Sequence, residues 1–210
     1  PLPLLLLLHG CAQDTAAFAA VTRAAVTAKS RGFAVLMPEQ AQEANPQRCW
    51  NWFGSEARVG LETQLLMAIV DHAVAANPRI AGPLFALGLS AGGAMSMTLA
   101  LRHPERFTAV GSHSGAAPHS ASTPLQAGQS MRGRRSPDVD AIAQRLAGRR
   151  LPPLVLIHGT SSSLHTWQGW VAGLKERRRV ITFDLPGFGL TGPNADSDYT
   201  DARYIRSEER

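Results

Sequence analysis

The stretch LFALGLSAGGAM, residues 84 to 95, sets a serine between glycines in the order Gly88-Leu89-Ser90-Ala91-Gly92. It lies between an apolar run of strand length and a run of helical spacing. In that setting the glycines permit a cramped turn that lifts the serine hydroxyl above a sheet, and the following helix points its positive N-terminus at it. Ser90 is therefore a candidate nucleophile for acyl transfer. Such a serine also needs donors for the oxyanion of a tetrahedral intermediate. The Ala91 amide is one candidate. The other is the Cys11 amide, in the turn His9-Gly10-Cys11 that follows the apolar run Leu4 to Leu8. Because these donors are backbone groups, side-chain identity at both positions is nearly free. His9 belongs to that turn and reads as a brace for it rather than as a base.

The elements that must hold these residues alternate in type along the chain. Strands are expected at Leu4 to Leu8, Phe33 to Met37, Leu84 to Leu89 and Phe107 to Ser112. Helices are expected at Thr15 to Lys29, Leu61 to Ala76 and Ala91 to Arg102. This alternation predicts an α/β fold with a mostly parallel sheet flanked by helices. From Ala116 to Arg150 the composition turns to Ser, Pro, Gly, Gln and Arg, and only Val139 to Leu146 keeps helical spacing, so a long loop or junction is expected. The apolar pattern then resumes with a strand at Leu154 to Ile157, a helix at Thr166 to Glu176, a strand at Val180 to Phe183 and a polar tail from Gly187.

Bulk properties remove other classes of function. The formal charge of +5 comes mainly from arginines in 132–150 and 177–179, without interleaved aromatic residues, which favours solvated surface over a nucleic-acid partner. No apolar run in the sequence approaches the roughly 20 residues that span a bilayer, so no membrane partner is expected. No spacing of Cys and His makes a zinc site and no glycine-rich loop has phosphate-binding or dinucleotide form, so neither metal nor cofactor is expected. The count of two cysteines, Cys11 and Cys49, allows one disulfide or two separate thiols; a disulfide would favour an exported protein. Pro1 need not be the native N-terminus, and the oligomeric state is not written in the sequence.

Five motifs in order, HGCAQDTAAFA, FAVLMPEQ, NPQRCWNWF, GLSAGGAM and VGSHSG, resemble the polyhydroxybutyrate depolymerase and related esterase family over about residues 1–117. The resemblance implies an α/β-hydrolase fold, a Ser-Asp-His triad, and short-chain esters or hydroxyalkanoate polyesters as substrates. It also favours a Cys11 to Cys49 disulfide tying the oxyanion turn to the RCWNWF loop. Trp50 and Trp52, with Phe53, would then either wall the acyl site or pack in the core.

A hydrolase of this kind carries its acid after the next-but-one strand beyond the serine and its base after the last strand. In the resembled family the acid follows a His-Gly like His158-Gly159, but here Thr160, Ser161, Ser162 and Ser163 stand in its place. The later segment instead repeats the first. His9 to Pro38 spans 29 positions and His158 to Pro186 spans 28, with FAVLMPE facing VITFDLPG. Residues 151–204 are similar to the N-terminal part of a different α/β-hydrolase branch, one holding small esterases and carbon-carbon bond hydrolases.

The organisation expected is thus a hydrolase front half over 1–117, a junction over 118–150, and a second β-α-β segment with tail over 151–210 packed in the same domain. That makes the chain incomplete or chimeric. The acid and base must come from unusual places: Asp184 at the end of the last strand is the acid candidate, and His165 the base candidate. His113, His119, Asp138 and Asp140 are alternatives. Two functions follow, a serine carboxylic-ester hydrolase working through an acyl-enzyme, or a truncated or fused hydrolase-like chain that binds without efficient catalysis.

Overall fold

The computed structural model describes residues 1–159, 163–174, 180–185 and 188–193. Thr160, Ser161, Ser162, the expected helix end at Glu176 and the tail beyond residue 193 lie outside these residues. Among the described residues six strands form one parallel sheet: β1 (Leu4–Leu8), β2 (Ala34–Leu36), β3 (Leu84–Leu89), β4 (Ala109–His113), β5 (Leu154–Ile157) and β6 (Val180–Phe183). Their spatial order is β2-β1-β3-β4-β5-β6. Val110 to His113 pairs in register with Leu154 to Ile157, so the sheet runs unbroken from the first segment into the second.

Among the described residues seven α-helices connect the strands: α1 (Thr15–Thr22), α2 (Ala24–Arg31), α3 (Glu56–Ala76), α4 (Ala91–Arg102), α5 (Pro124–Met131), α6 (Val139–Leu146) and α7 (Gln168–Leu174). Only the step from β1 to β2 moves toward the left edge of the sheet as ordered above. Since parallel crossovers keep one hand, α1 and α2 must cover the face opposite to the other helices. The core divides accordingly. Phe18 and Ala24 pack with Leu7 against Leu5, Val35, Leu87 and Leu89, whereas Leu4, Leu6 and Leu8 join α4, Trp167 and Trp170 in the larger cluster. Strand alternation sends successive leucines of β1 to these two cores. Helix α4 is buried at every residue from Ala91 to Leu101, which explains an apolar composition all round its circumference.

The structure corrects three expectations. The single helix expected over Thr15 to Lys29 is two, broken at Arg23, which takes the left-handed conformation at φ 50° and caps α1 through its own amide. Helix α3 starts at Glu56 rather than Leu61 because the Ser55 side chain accepts the Arg58 amide and caps it. The segment expected to be loop holds α5, capped by Thr123 with Pro124 in its first turn, as well as α6.

Candidate active site

β1 and β3 are neighbours whose following connections leave in opposite directions, and a crevice opens above their carboxyl ends. Ser90 sits there, between β3 and α4, with φ 56° and ψ −118°. That backbone is strained for any side-chain-bearing residue and is held by the Ser90 amide donating to the His113 carbonyl at 2.8 Å. Glycine at 88 and 92 is a steric necessity: a Cβ on Gly88 would run into the Gly92 carbonyl, and one on Gly92 into the carbonyls of Leu8 and His9.

The turn after β1 approaches closely. A Cβ on Gly10 would stand 3.4 Å from that of Ser90. Gly10 donates its amide to Gln13 Oε1 at 2.7 Å, and Ala12 donates to the Gln47 carbonyl at 2.7 Å. Between them the Cys11 amide, like the Ala91 amide at the start of α4, meets no acceptor among the described residues. Cys11 is disulfide-bonded to Cys49. His9 spans the loop as expected for a brace: its Nδ1 donates to the Gly10 carbonyl at 2.7 Å and its Nε2 accepts the Gln40 amide at 3.1 Å. Those two partners fix the ring tautomer.

A cavity of about 510 Å³ opens over Ser90 and Ala91, between the disulfide, Trp52 and Phe53 on one side and Ala127, Gly128 and Met131 of α5 on the other. Trp52 and Phe53 meet edge to face, with centroids 5.1 Å apart. Trp50 is placed elsewhere: it is buried, donates its indole N–H to the His9 carbonyl at 3.0 Å, and borders a separate groove along α3. The contribution of α5 was missed from the sequence, although Thr123-Pro124 is a legible helix start.

The structure brings Asp184 beside His165's loop but neither to Ser90. The Ser90 hydroxyl has no hydrogen-bond partner among the described residues. His165 is exposed, pairs its Nδ1 with Ser163 Oγ at 3.2 Å, and lines a different cavity that touches α5 at Ser130. Asp184 is buried, with Oδ1 accepting the Leu164 amide at 2.6 Å and Oδ2 the Leu190 amide at 2.9 Å. His158 repeats His9: Nδ1 donates to the Gly159 carbonyl at 2.8 Å and Nε2 accepts the Leu185 amide at 3.1 Å. Its Nε2 lies 3.6 Å from Asp184 Oδ1, but it is already accepting a proton from Leu185. His113 ends β4, half-buried, with Nδ1 2.8 Å from Ser114 Oγ; burial and then His158 hold it below the ordinary imidazole range. His119 is exposed, Asp138 caps α6, and Asp140 lies exposed in the first turn of that helix.

Burial alone would raise the Asp184 pKa, but the Leu190 and Leu164 amides, followed by His158 and His165, hold it below the usual carboxylate range. A carboxylate so depressed contributes stability that is present above its unfolded pKa and lost as pH falls through the folded one. Asp184→Asn is thus expected to lower stability by about 1–3 kcal/mol at neutral pH. The gap between variant and parent should narrow as pH drops through the folded pKa in a series of urea titrations. An equal gap at every pH would assign the loss to packing.

Residues 1–168 match the family described as Esterase PHB depolymerase. The chain belongs to that family. A second match, to the alpha/beta hydrolase fold, covers residues 152–208 and overlaps the first. Among family relatives, poly(3-hydroxyalkanoate) depolymerase C of Paucimonas lemoignei is 33% identical over 118 residues, 55% of this chain and 27% of that protein. The second segment is similar to the pimeloyl-[acyl-carrier protein] methyl ester esterase of Legionella pneumophila (strain Corby), 49% identical over 39 residues, 19% of this chain and 16% of that protein. This PHB-depolymerase-family chain therefore spans about a quarter or less of the length of these curated relatives. In fold it is similar to the acetyl xylan esterase of Aspergillus awamori, with a TM-score of 0.63 at 16% identity over 82% of this chain and 69% of that one. It is also similar to FphF, a fluorophosphonate-binding serine hydrolase of Staphylococcus aureus, with a TM-score of 0.64 at 18% identity over 100% and 82%.

Proposed function

We propose that this chain is a serine carboxylic-ester hydrolase acting on short-chain esters or hydroxyalkanoate polyesters. One observation carries the reading: Ser90 stands on a strained turn, flanked by the Cys11 and Ala91 amides that meet no acceptor among the described residues, at the floor of a cavity with an apolar wall. Ser90 Oγ attacks the ester carbonyl, and the two amides hold the oxyanion as the acyl-enzyme forms. Trp52 supplies the apolar wall for the acyl part, while Trp50 supports the site from below through the His9 carbonyl. A base must take and return the Ser90 proton; His165 and Asp184, the base and acid expected from the sequence, stand in and beside a separate cavity, with Asp184 holding the Leu164 and Leu190 amides. The disulfide at the oxyanion turn favours an exported protein.

A second reading, a hydrolase-like chain that binds esters without efficient turnover, is favoured by the absence of a ring nitrogen on Ser90 Oγ among the described residues. The rate of fluorophosphonate labelling, followed by intact mass and peptide mapping, separates the two. Rapid stoichiometric modification at Ser90 is expected for the hydrolase, because only an activated serine reacts so. Labelling at the pace of an ordinary surface serine would leave the second reading, since an oxyanion hole without a base still supports slow acyl transfer.

A further inference from the structure

Helix α5 turns one face to the Ser90 cavity: Pro124, Ala127, Gly128 and Met131, at the spacing i, i+3, i+4, i+7, line it. The wall opposite is fixed, because Trp52 is buried in the larger core and Phe53 packs against that core. The side chains of α5 therefore set how much of the space between them, about 510 Å³, stays open. Pro124 and Met131 stand at the two ends of this face. Between them are Ala127, which is buried in the core, and Gly128, which has no side chain at all. Nothing in the helix asks for glycine there. Its backbone is helical, unlike that of Gly133 just beyond the helix at φ 67°, and glycine inside a helix is destabilising relative to alanine. Close packing does not require it either. The nearest atoms a Cβ would meet are those of the Arg132 guanidinium, 3.5–3.9 Å away, an ordinary contact with the end of a flexible side chain. At Gly88 and Gly92, by contrast, a Cβ would strike backbone. What the missing side chain at residue 128 leaves is room in the cavity.

We propose that Gly128 sets the length of acyl chain that the Ser90 cavity admits, an inference that rests on the hydrolase reading above. With the carbonyl oxygen held at the Cys11 and Ala91 amides, the chain on the carbonyl carbon runs between Trp52 and the gap that Gly128 leaves in α5. A leucine side chain at this position would put four carbons into that gap. Short acyl groups end before the gap and longer ones fill it, so the two classes of ester respond differently to residue 128.

The test compares kcat/KM for p-nitrophenyl acetate, butyrate, hexanoate and octanoate between the parent and its variants. Gly128→Leu is expected to lower the ratio of hexanoate to acetate at least about tenfold, and Gly128→Ala about threefold, since a methylene in an apolar pocket is worth that much discrimination. Both replacements are better helix formers than glycine, so the urea midpoint should stay at or above that of the parent. Should Gly128→Leu misfold, Gly128→Ala carries the test alone. A ratio that Gly128→Leu leaves unchanged would overturn the proposal. A parent that turns over none of the esters would mean failure of the hydrolase reading instead, and the cavity is then read by binding. Methyl hexanoate is titrated against the Trp52 indole N–H signal in a proton-nitrogen correlation spectrum, assigned by Trp52→Phe. Binding to Gly128→Leu at least about tenfold weaker than to the parent would uphold the role of Gly128. Equal binding, or a parent signal that ignores the ester, would overturn it.

Discussion

Ser90→Ala should abolish ester turnover, with at least about a 10³-fold fall in kcat/KM for a short p-nitrophenyl ester, while leaving stability within about 0.5 kcal/mol of the parent. The second half of this expectation comes from geometry. Ser90 Oγ makes no hydrogen bond among the described residues, so its removal orphans nothing. What costs energy at this position is the backbone, at φ 56° and ψ −118°, and alanine inherits that strain unchanged. Glycine would not. Ser90→Gly should be as inactive as alanine yet more stable by about 1–2 kcal/mol, because a side chain at positive φ is the penalty being relieved. Parallel urea titrations and initial rates on the three proteins decide the matter. Unchanged turnover in Ser90→Ala would remove Ser90 from the mechanism; equal stability of alanine and glycine variants would remove strain from the account of the turn.

His165 and Asp184 are placed away from Ser90, and the topology explains why. In the order β3-β4-β5-β6, the acid of such a hydrolase is expected after β5 and the base after β6. This chain has the reverse, with His165 after β5 and Asp184 after β6. Asp184 is engaged in closing the second loop pair, holding the Leu164 and Leu190 amides, just as Gln40 and His9 close the first. The two loop pairs are built alike around His9 and His158, and that likeness is what the repeated spacing in the sequence encodes.

Features that depend on neighbours in sequence were legible: the elbow, six strands and most helix positions follow from apolar period and from Gly and Pro placement. The break at Arg23 was not, because arginine carries no turn signal and takes the left-handed conformation only where α1 must end and α2 turn back onto β2. Helix α5 was hidden by a polar composition, since it covers the Ser90 cavity with one side and needs few apolar residues to do so. Trp50 and Trp52 are two residues apart, and only the tertiary fold separates one into support for the His9 carbonyl and the other into the cavity wall. The partner of a catalytic serine is set by chain crossings far apart in sequence, which no local pattern records.

Gly92→Ala should severely destabilise the protein. Helix α4 is the centre of the larger core and packs its first turn directly on the end of β1, so that a Cβ at residue 92 would occupy the space of the Leu8 and His9 carbonyl oxygens. Backbone carbonyls in a paired strand cannot swing aside as a flexible side chain can. Relief would require lifting α4 off the sheet, exposing residues that are now buried along the whole helix and dragging Ser90 with it. A loss of more than about 4 kcal/mol is expected, a large part of the 5–15 kcal/mol that holds an ordinary domain together. Gly32→Ala is the control: that glycine has φ 72° but open space around it, so strain alone applies and about 1–2 kcal/mol is expected. Circular dichroism and urea midpoints of the two variants measure the difference. If Gly92→Ala were to fold with a midpoint near that of Gly32→Ala, the close approach of α4 to β1, and with it the placement of Ser90 over the oxyanion turn, would be wrong.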